Sequence, residues 1–178
     1  MSLRPIIIVP NPVLKQVAQP IENITDAIKQ QAYDMIETMY AAPGIGLAAN
    51  QIAQLNRLIV MDPDFRSDKN RANSKDNAIV MINPEIIWRS EEISVMEEGC
   101  LSIPGQYAEV ERPQTVRVSY ISLHGEKQEY VAENLSSHCV QHEIDHLNGV
   151  LFIDYLSRLK RNMILRKVEK SHPQGDIL

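Results

Sequence analysis

His142-Glu143-Ile144-Asp145-His146 sits in a segment whose apolar spacing is helical. Side chains four apart on a helix share a face, so His142 and His146 can grip one metal ion. Glu143 projects beside them and can accept a proton from water that the ion has activated. The helix starts after Asn134 and stops at Asn148-Gly149, glycine being the usual residue just past a helix end. Val140, Ile144 and Leu147 fall on its other side. One helix therefore has a core face and a chemical face.

The elements around it follow from pattern. Leu156, Leu159, Met163, Ile164 and Val168 form a buried stripe that predicts a C-terminal helix over about 155–170, followed by a polar tail. Thr115 to Ser122 alternates and turns through His124-Gly125 into a second strand, Lys127 to Ala132. Leu58 to Met61, Ile79 to Ile82 and Glu85 to Val95 read as further strands. Asp64 to Asn77 is polar and reads as a surface loop. Thr25 caps a first helix with Ile28, Ala32, Met35, Ile36 and Met39 on one face, ended by Pro43-Gly44. Ile6 to Val9, between two prolines, is a short buried strand or extended segment. Strands and helices do not alternate regularly. The expected class is α+β: short mixed or antiparallel sheets around a central metal-binding helix, with an N-terminal and a C-terminal helix.

The chain has 178 residues, 44% of them apolar, enough for one domain with a real core, here 1–178. The net charge of -5 is interspersed, and no basic stripe marks a nucleic-acid surface. No apolar run reaches membrane-span length, and the N-terminus lacks a signal-peptide pattern. Two cysteines make no disulfide scaffold, and a cytoplasmic location is the simplest reading.

Two histidines and a glutamate leave a catalytic site one ligand short. Downstream of His146 there is only His172, in the polar tail. Upstream, Cys100 in Glu97-Glu98-Gly99-Cys100-Leu101-Ser102 offers a thiolate that the ion itself would deprotonate. The plain alternative is a small buried residue. Histidine 138 falls one turn before His142 and raises the further option of three histidine ligands.

Three segments, Gly44-Ile45-Gly46-Leu47-Ala48-Ala49-Asn50-Gln51, Glu98-Gly99-Cys100-Leu101-Ser102 and Gln141-His142-Glu143-Ile144-Asp145-His146, resemble the signature motifs of the peptide deformylase family, in its order. The similarity extends from Pro10-Asn11-Pro12 to Leu151-Phe152-Ile153-Asp154-Tyr155-Leu156. The resemblance implies hydrolytic removal of the formyl group from N-formylmethionyl peptides on nascent chains. It implies one divalent ion, Fe(II) by family habit with Zn, Ni or Co as substitutes, held by Cys100, His142 and His146. It makes Glu143 the general base, and Gln51 with the Leu101 N–H the oxyanion donors. Ile45, Gly46, Glu98 and Gly99 are then substrate contacts, and Met96, Leu135, His138 and Cys139 walls for the methionine side chain. Tyr107 stands where some members have an arginine that touches the substrate, and it supplies no charge. Asp145 is either a partner of Arg112 that braces the helix or a solvated helix carboxylate, and Glu98 beside the thiolate can brace its loop. A bacterial cytoplasm fits better than an organelle. The cationic C-terminal helix, with Arg158, Lys160, Arg161, Arg166 and Lys167, could touch the ribosome; a solvated face is the bland alternative.

Two other readings compete. A metallopeptidase of the same helical motif would cut internal bonds, but the expected downstream ligand is missing. A structural metal module would fill all four positions with protein ligands, and only three good ligands are found.

Overall fold

The computed structural model describes residues 2–65 and 77–172. Most of the polar loop expected over 64–77 and the end of the polar tail lie outside the described residues. The architecture is α+β. Among the described residues there are seven strands, β1 (Gly46–Ala48), β2 (Leu58–Met61), β3 (Ile79–Arg89), β4 (Ile93–Cys100), β5 (Ile103–Pro113), β6 (Thr115–Ile121) and β7 (Lys127–Glu133), and three α-helices, α1 (Asp26–Ala41), α2 (Leu135–Leu147) and α3 (Arg158–Ser171). The strands form a five-stranded sheet in the order β1-β2-β3-β6-β7 and a two-stranded ribbon, β4–β5. Each pair of neighbouring strands is antiparallel, one of the two arrangements expected from the sequence.

The large sheet is covered on both faces. Ile59 and Met61 pack with Met81, Val116 and Val118 against Val140, Ile144 and Leu147 of α2. Leu58 and Val60 pack with Ile82 against Met35 and Met39 of α1. Burial on both faces is why β2 reads as an unbroken apolar run. A third cluster joins Ile7, Ile8 and Val9 to Ile103 and Val110 of β5 and to Ile164 and Val168 of α3. The Ile6–Val9 stretch is buried but lies outside these strands. It hydrogen-bonds through Ile7 N to Gln51 O at 2.8 Å and through Val9 N to Ser102 O at 3.0 Å.

Helix boundaries follow local chemistry. Thr25 Oγ accepts from the Ile28 N–H at 3.4 Å and caps α1. Gly149, at φ 72°, ends α2 with the carbonyl of Lys15 packed where a side chain would be. The C-terminal helix starts later than expected, after the cap Ser157, because Phe152–Tyr155 forms a separate 3-10 turn. Only Ile164 and Val168 of its apolar stripe are buried; Leu159 is 74% and Met163 51% exposed.

Two strand assignments need correction. β3 runs unbroken from Ile79 to Arg89, crossing Pro84 at a register shift between Ile82 and Glu85. Asn83 there has φ 51°, and its side chain bonds both Ile21 N and Ile21 O at 2.8 Å, so the bulge is tied rather than loose. The stretch Glu85–Val95 is accordingly divided between β3 and β4. β5 was not expected at all. Its inward side chains are Ala108, Val110 and Arg112, and a buried arginine in register hides the alternation.

Candidate active site

Helix α2 crosses behind the ribbon, and the end of β4 meets it at the chemical face. Among the described residues, Cys100, His142 and His146 bring one ligand atom each to within 4.8 Å of one another. His146 Nε2 lies 3.2 Å from Cys100 Sγ. The His142 ring faces the other way round its carboxylate partner: Nδ1 is 3.0 Å from Glu98 Oε2. Donation at Nδ1 leaves the Nε2 lone pair for a cation, which is how a carboxylate sets the tautomer of a metal-binding histidine.

The donor set fits a divalent ion. One thiolate and two imidazoles leave a tetrahedral ion a fourth position. Burial opposes charge on His142, yet hydrogen bonding with Cys100 and Glu98 outweighs it and raises its pKa well above the ordinary value. Burial, with the neighbouring His142 and Arg112, holds His146 well below. The negative surroundings of His142 and the uncharged ring of His146 both suit a cation held between them. Histidine 138 is not part of this cluster, so the three-histidine option is set aside.

Glu143, 5% exposed, follows His142 on the helix. Burial first, then the charges of Glu98 and Asp145 against those of His142 and Arg112, push its carboxyl up to about 7. Its Oε2 is buried without a hydrogen-bond partner. A Cβ on Gly46 of β1 would fall on this carboxylate. Gln51, in the 3-10 turn Ala49–Ile52 after β1, is 1% exposed. The Ala48 N–H donates to its Oε1 at 2.9 Å, which turns Nε2 toward Ser102 Oγ at 3.1 Å and Cys100 Sγ at 3.5 Å. The amide orientation is thereby set by the backbone.

A cavity of about 580 Å³ opens beside these groups. Ile45, Gly46, Gln51, Met96, Glu98, Gly99, Cys100, Leu101, Tyr107, Leu135, His138, Cys139, His142 and Glu143 all line it. Of the catalytic, metal-binding and substrate-binding residues expected from the sequence, His146, 1% exposed, is the one outside the lining. Leu135 is 45% and Tyr107 60% exposed, so both sit at the mouth. The Tyr107 ring covers Gly99, where a Cβ would come within 2.5 Å of Cε1. Burial and then the acidic neighbours Glu143, Glu98 and Asp62 push the Cys139 thiol far up, which leaves it no nucleophile.

Glu98 does more than the sequence indicated. Its carboxylate takes Arg112 Nε and Nη2, His138 Nδ1 at 2.9 Å and His142 Nδ1. Although burial raises its pKa, these hydrogen bonds and the Arg112 charge hold it well below the carboxylate range. Both oxygens are therefore committed to protein donors, and the carboxylate itself has no capacity left for a substrate. Arg112 also reaches Asp145 Oδ2 at 2.8 Å, the pair read from the sequence, and Tyr155 donates to the same oxygen at 2.9 Å. No role was expected for Ser94, Ser102 or Tyr155: nothing local sets Ser94 apart from surface residues, while Ser102 and Tyr155 lie in stretches that carry the family resemblance.

Comparison with known proteins gives this geometry a family. The model for polypeptide deformylase matches residues 3–162. The chain belongs to the polypeptide deformylase family. It is 57% identical over 176 residues to the peptide deformylase of Bradyrhizobium diazoefficiens, covering 99% of this chain and all of the relative. The crystal structure of the Ehrlichia chaffeensis peptide deformylase in complex with actinonin superposes with a TM-score of 0.87 at 37% identity, covering 96% of this chain and 98% of that one. The Legionella pneumophila peptide deformylase gives 0.87 at 41% identity, covering 97% and 96%. The activity is accordingly that of a metal-dependent peptide deformylase.

Proposed function

We propose that the substrates are N-formylmethionyl peptides at the start of nascent chains, and that formate is the small product. The carrying observation is the convergence of Cys100, His142 and His146 beside Glu143 and Gln51, in a chain similar to peptide deformylases over its whole length. Cys100, His142 and His146 would hold a divalent ion, which would supply Lewis-acid polarisation of the formyl group and a lowered pKa for water. Fe(II) is our proposed resident, with Zn, Ni and Co able to use the same thiolate and imidazoles.

The chain's own residues do the rest. Glu143 takes a proton at Oε2 and returns it to the nitrogen of the leaving amine. A carboxyl near 7 can do both at neutral pH, and such help is worth roughly 10²–10⁴-fold. Gln51 Nε2 and the Leu101 N–H donate to the oxygen that gains negative charge. β1 is an edge strand of its sheet, so Ile45 and Gly46 can pair with an extended peptide, reading backbone rather than sequence. Gly99 faces that peptide from the other side and Tyr107 offers a hydroxyl at the rim. Met96, Leu135, His138 and Cys139 wall the first side chain. Residues 1–178 act as one catalytic domain. The cationic face of α3 is the candidate ribosome contact. Bacterial relatives support a cytoplasmic setting.

The test is formate release from formyl-Met-Ala-Ser by anaerobically prepared, metal-loaded protein. Glu143→Gln should keep its metal and lose about 10²–10⁴ in turnover. Cleavage of an unformylated peptide without formate release would instead make this a peptidase.

A further inference from the structure

His138 has no step in the chemistry above, yet it is 2% exposed and fully engaged. Nδ1 is 2.9 Å from Glu98 Oε1 and Nε2 is 2.8 Å from Ser94 Oγ. We infer that His138 is a positioning residue for the metal ligand His142, acting through the carboxylate that the two rings share.

Three observations carry this. His138 and His142 are one turn apart on α2, so their rings leave the helix on the same side. Each donates from Nδ1 to a different oxygen of Glu98, so the orientation of that carboxylate is set jointly by His138, His142 and Arg112. Ser94 and Glu98 are four apart on β4, and even spacing puts them on one face of the strand. The ring is thus clamped between two side chains of the strand that ends in Cys100, while its own helix carries His142 and His146. The clamp joins the two elements that supply the ligands and holds their separation.

The same contacts decide what His138 shows the cavity. Both nitrogens are taken, so the ring presents carbon to a substrate side chain. A histidine in this wall is therefore compatible with an apolar pocket, and its polar atoms serve the metal side.

The inference rests on His142 being a ligand. It is tested on cobalt-loaded protein by the rate of Co(II) loss to a chelator, by the visible Co(II) bands and by a kcat-against-KM split with formyl-Met-Ala-Ser. His138→Leu should release Co(II) roughly tenfold faster or more, shift the bands and lower kcat with little change in KM. His138→Asn, whose amide can replace the Nδ1 donor, should restore release to within about threefold of the unaltered rate. Ser94→Ala should shift release in the same direction by less, and it decides the matter if His138→Leu does not fold. Release at the unaltered rate, or an effect on KM alone, overturns the inference. Failure of the unaltered protein to bind Co(II) sinks the ligand assignment itself, and this inference with it.

Discussion

Gly46 shows how little space separates a working base from a displaced one. The residue lies in β1 with Glu143 packed where its side chain would be. Gly46→Ala must push the Glu143 carboxylate aside while leaving Cys100, His142 and His146 untouched. Misplacing a reacting group by about 1 Å can cost on the order of 10² in rate. We expect a fall in kcat of that order at unchanged metal content, measured by formate release and elemental analysis. Turnover within twofold of the unaltered protein would show that the carboxylate has room to relax. The sequence motif alone gave this glycine a backbone role. That it also makes room for the general base required the packing of β1 on α2.

At the scale of elements, the N-terminal segment is tied to α1 by one carboxylate. Asp34, 1% exposed, accepts from Ser2 N at 2.9 Å, Gln30 Nε2 at 2.8 Å and Arg4 Nε at 3.0 Å. Burial raises its pKa, but these hydrogen bonds outweigh that and hold it at about 2, against an ordinary 3.8. The folded value lies below the unfolded one, so the stabilisation is complete above about pH 4 and is lost as pH falls toward 2. Asp34→Asn should lower the urea midpoint at pH 7 and flatten its decline between pH 4 and 2. Parallel curves for the two proteins would remove Asp34 from the acid response. Amphipathic helices and alternating strands were legible here because burial follows the period of the backbone: α1, α2, β6 and β7 fall close to their expected places. β5 was not, because Arg112 occupies an inward position whose partners, Glu98 and Asp145, lie 14 and 33 residues away. The stripe of α3 was over-read, since periodicity marks an apolar face without saying whether a partner covers it.

For the whole molecule, a metal held at this site would be a cross-link. Cys100 belongs to the ribbon, while His142 and His146 belong to the helix packed on the five-stranded sheet. An ion that binds the folded chain only adds about 2.7 kcal/mol at a hundredfold excess over its Kd. Stripping the metal should therefore lower Tm, readdition should restore it, and Cys100→Ser should blunt the response. A melting temperature indifferent to metal would mean that the ligands do not hold the layers together.

Read alone, the sequence determined the fold class, the helix that carries the metal motif and most of the residues around the cavity. The first two depend on periodicity and on short spacings, which a helix converts directly into geometry; the cavity residues came from the resemblance of three segments to the family's motifs. Only the tertiary structure decided that Cys100 meets the two rings, that the Glu98 carboxylate is saturated by Arg112, His138 and His142, and that Gly46 makes room for Glu143. Each of those is a contact between distant segments, set by how sheet, ribbon and helix pack, and no local pattern encodes such a distance.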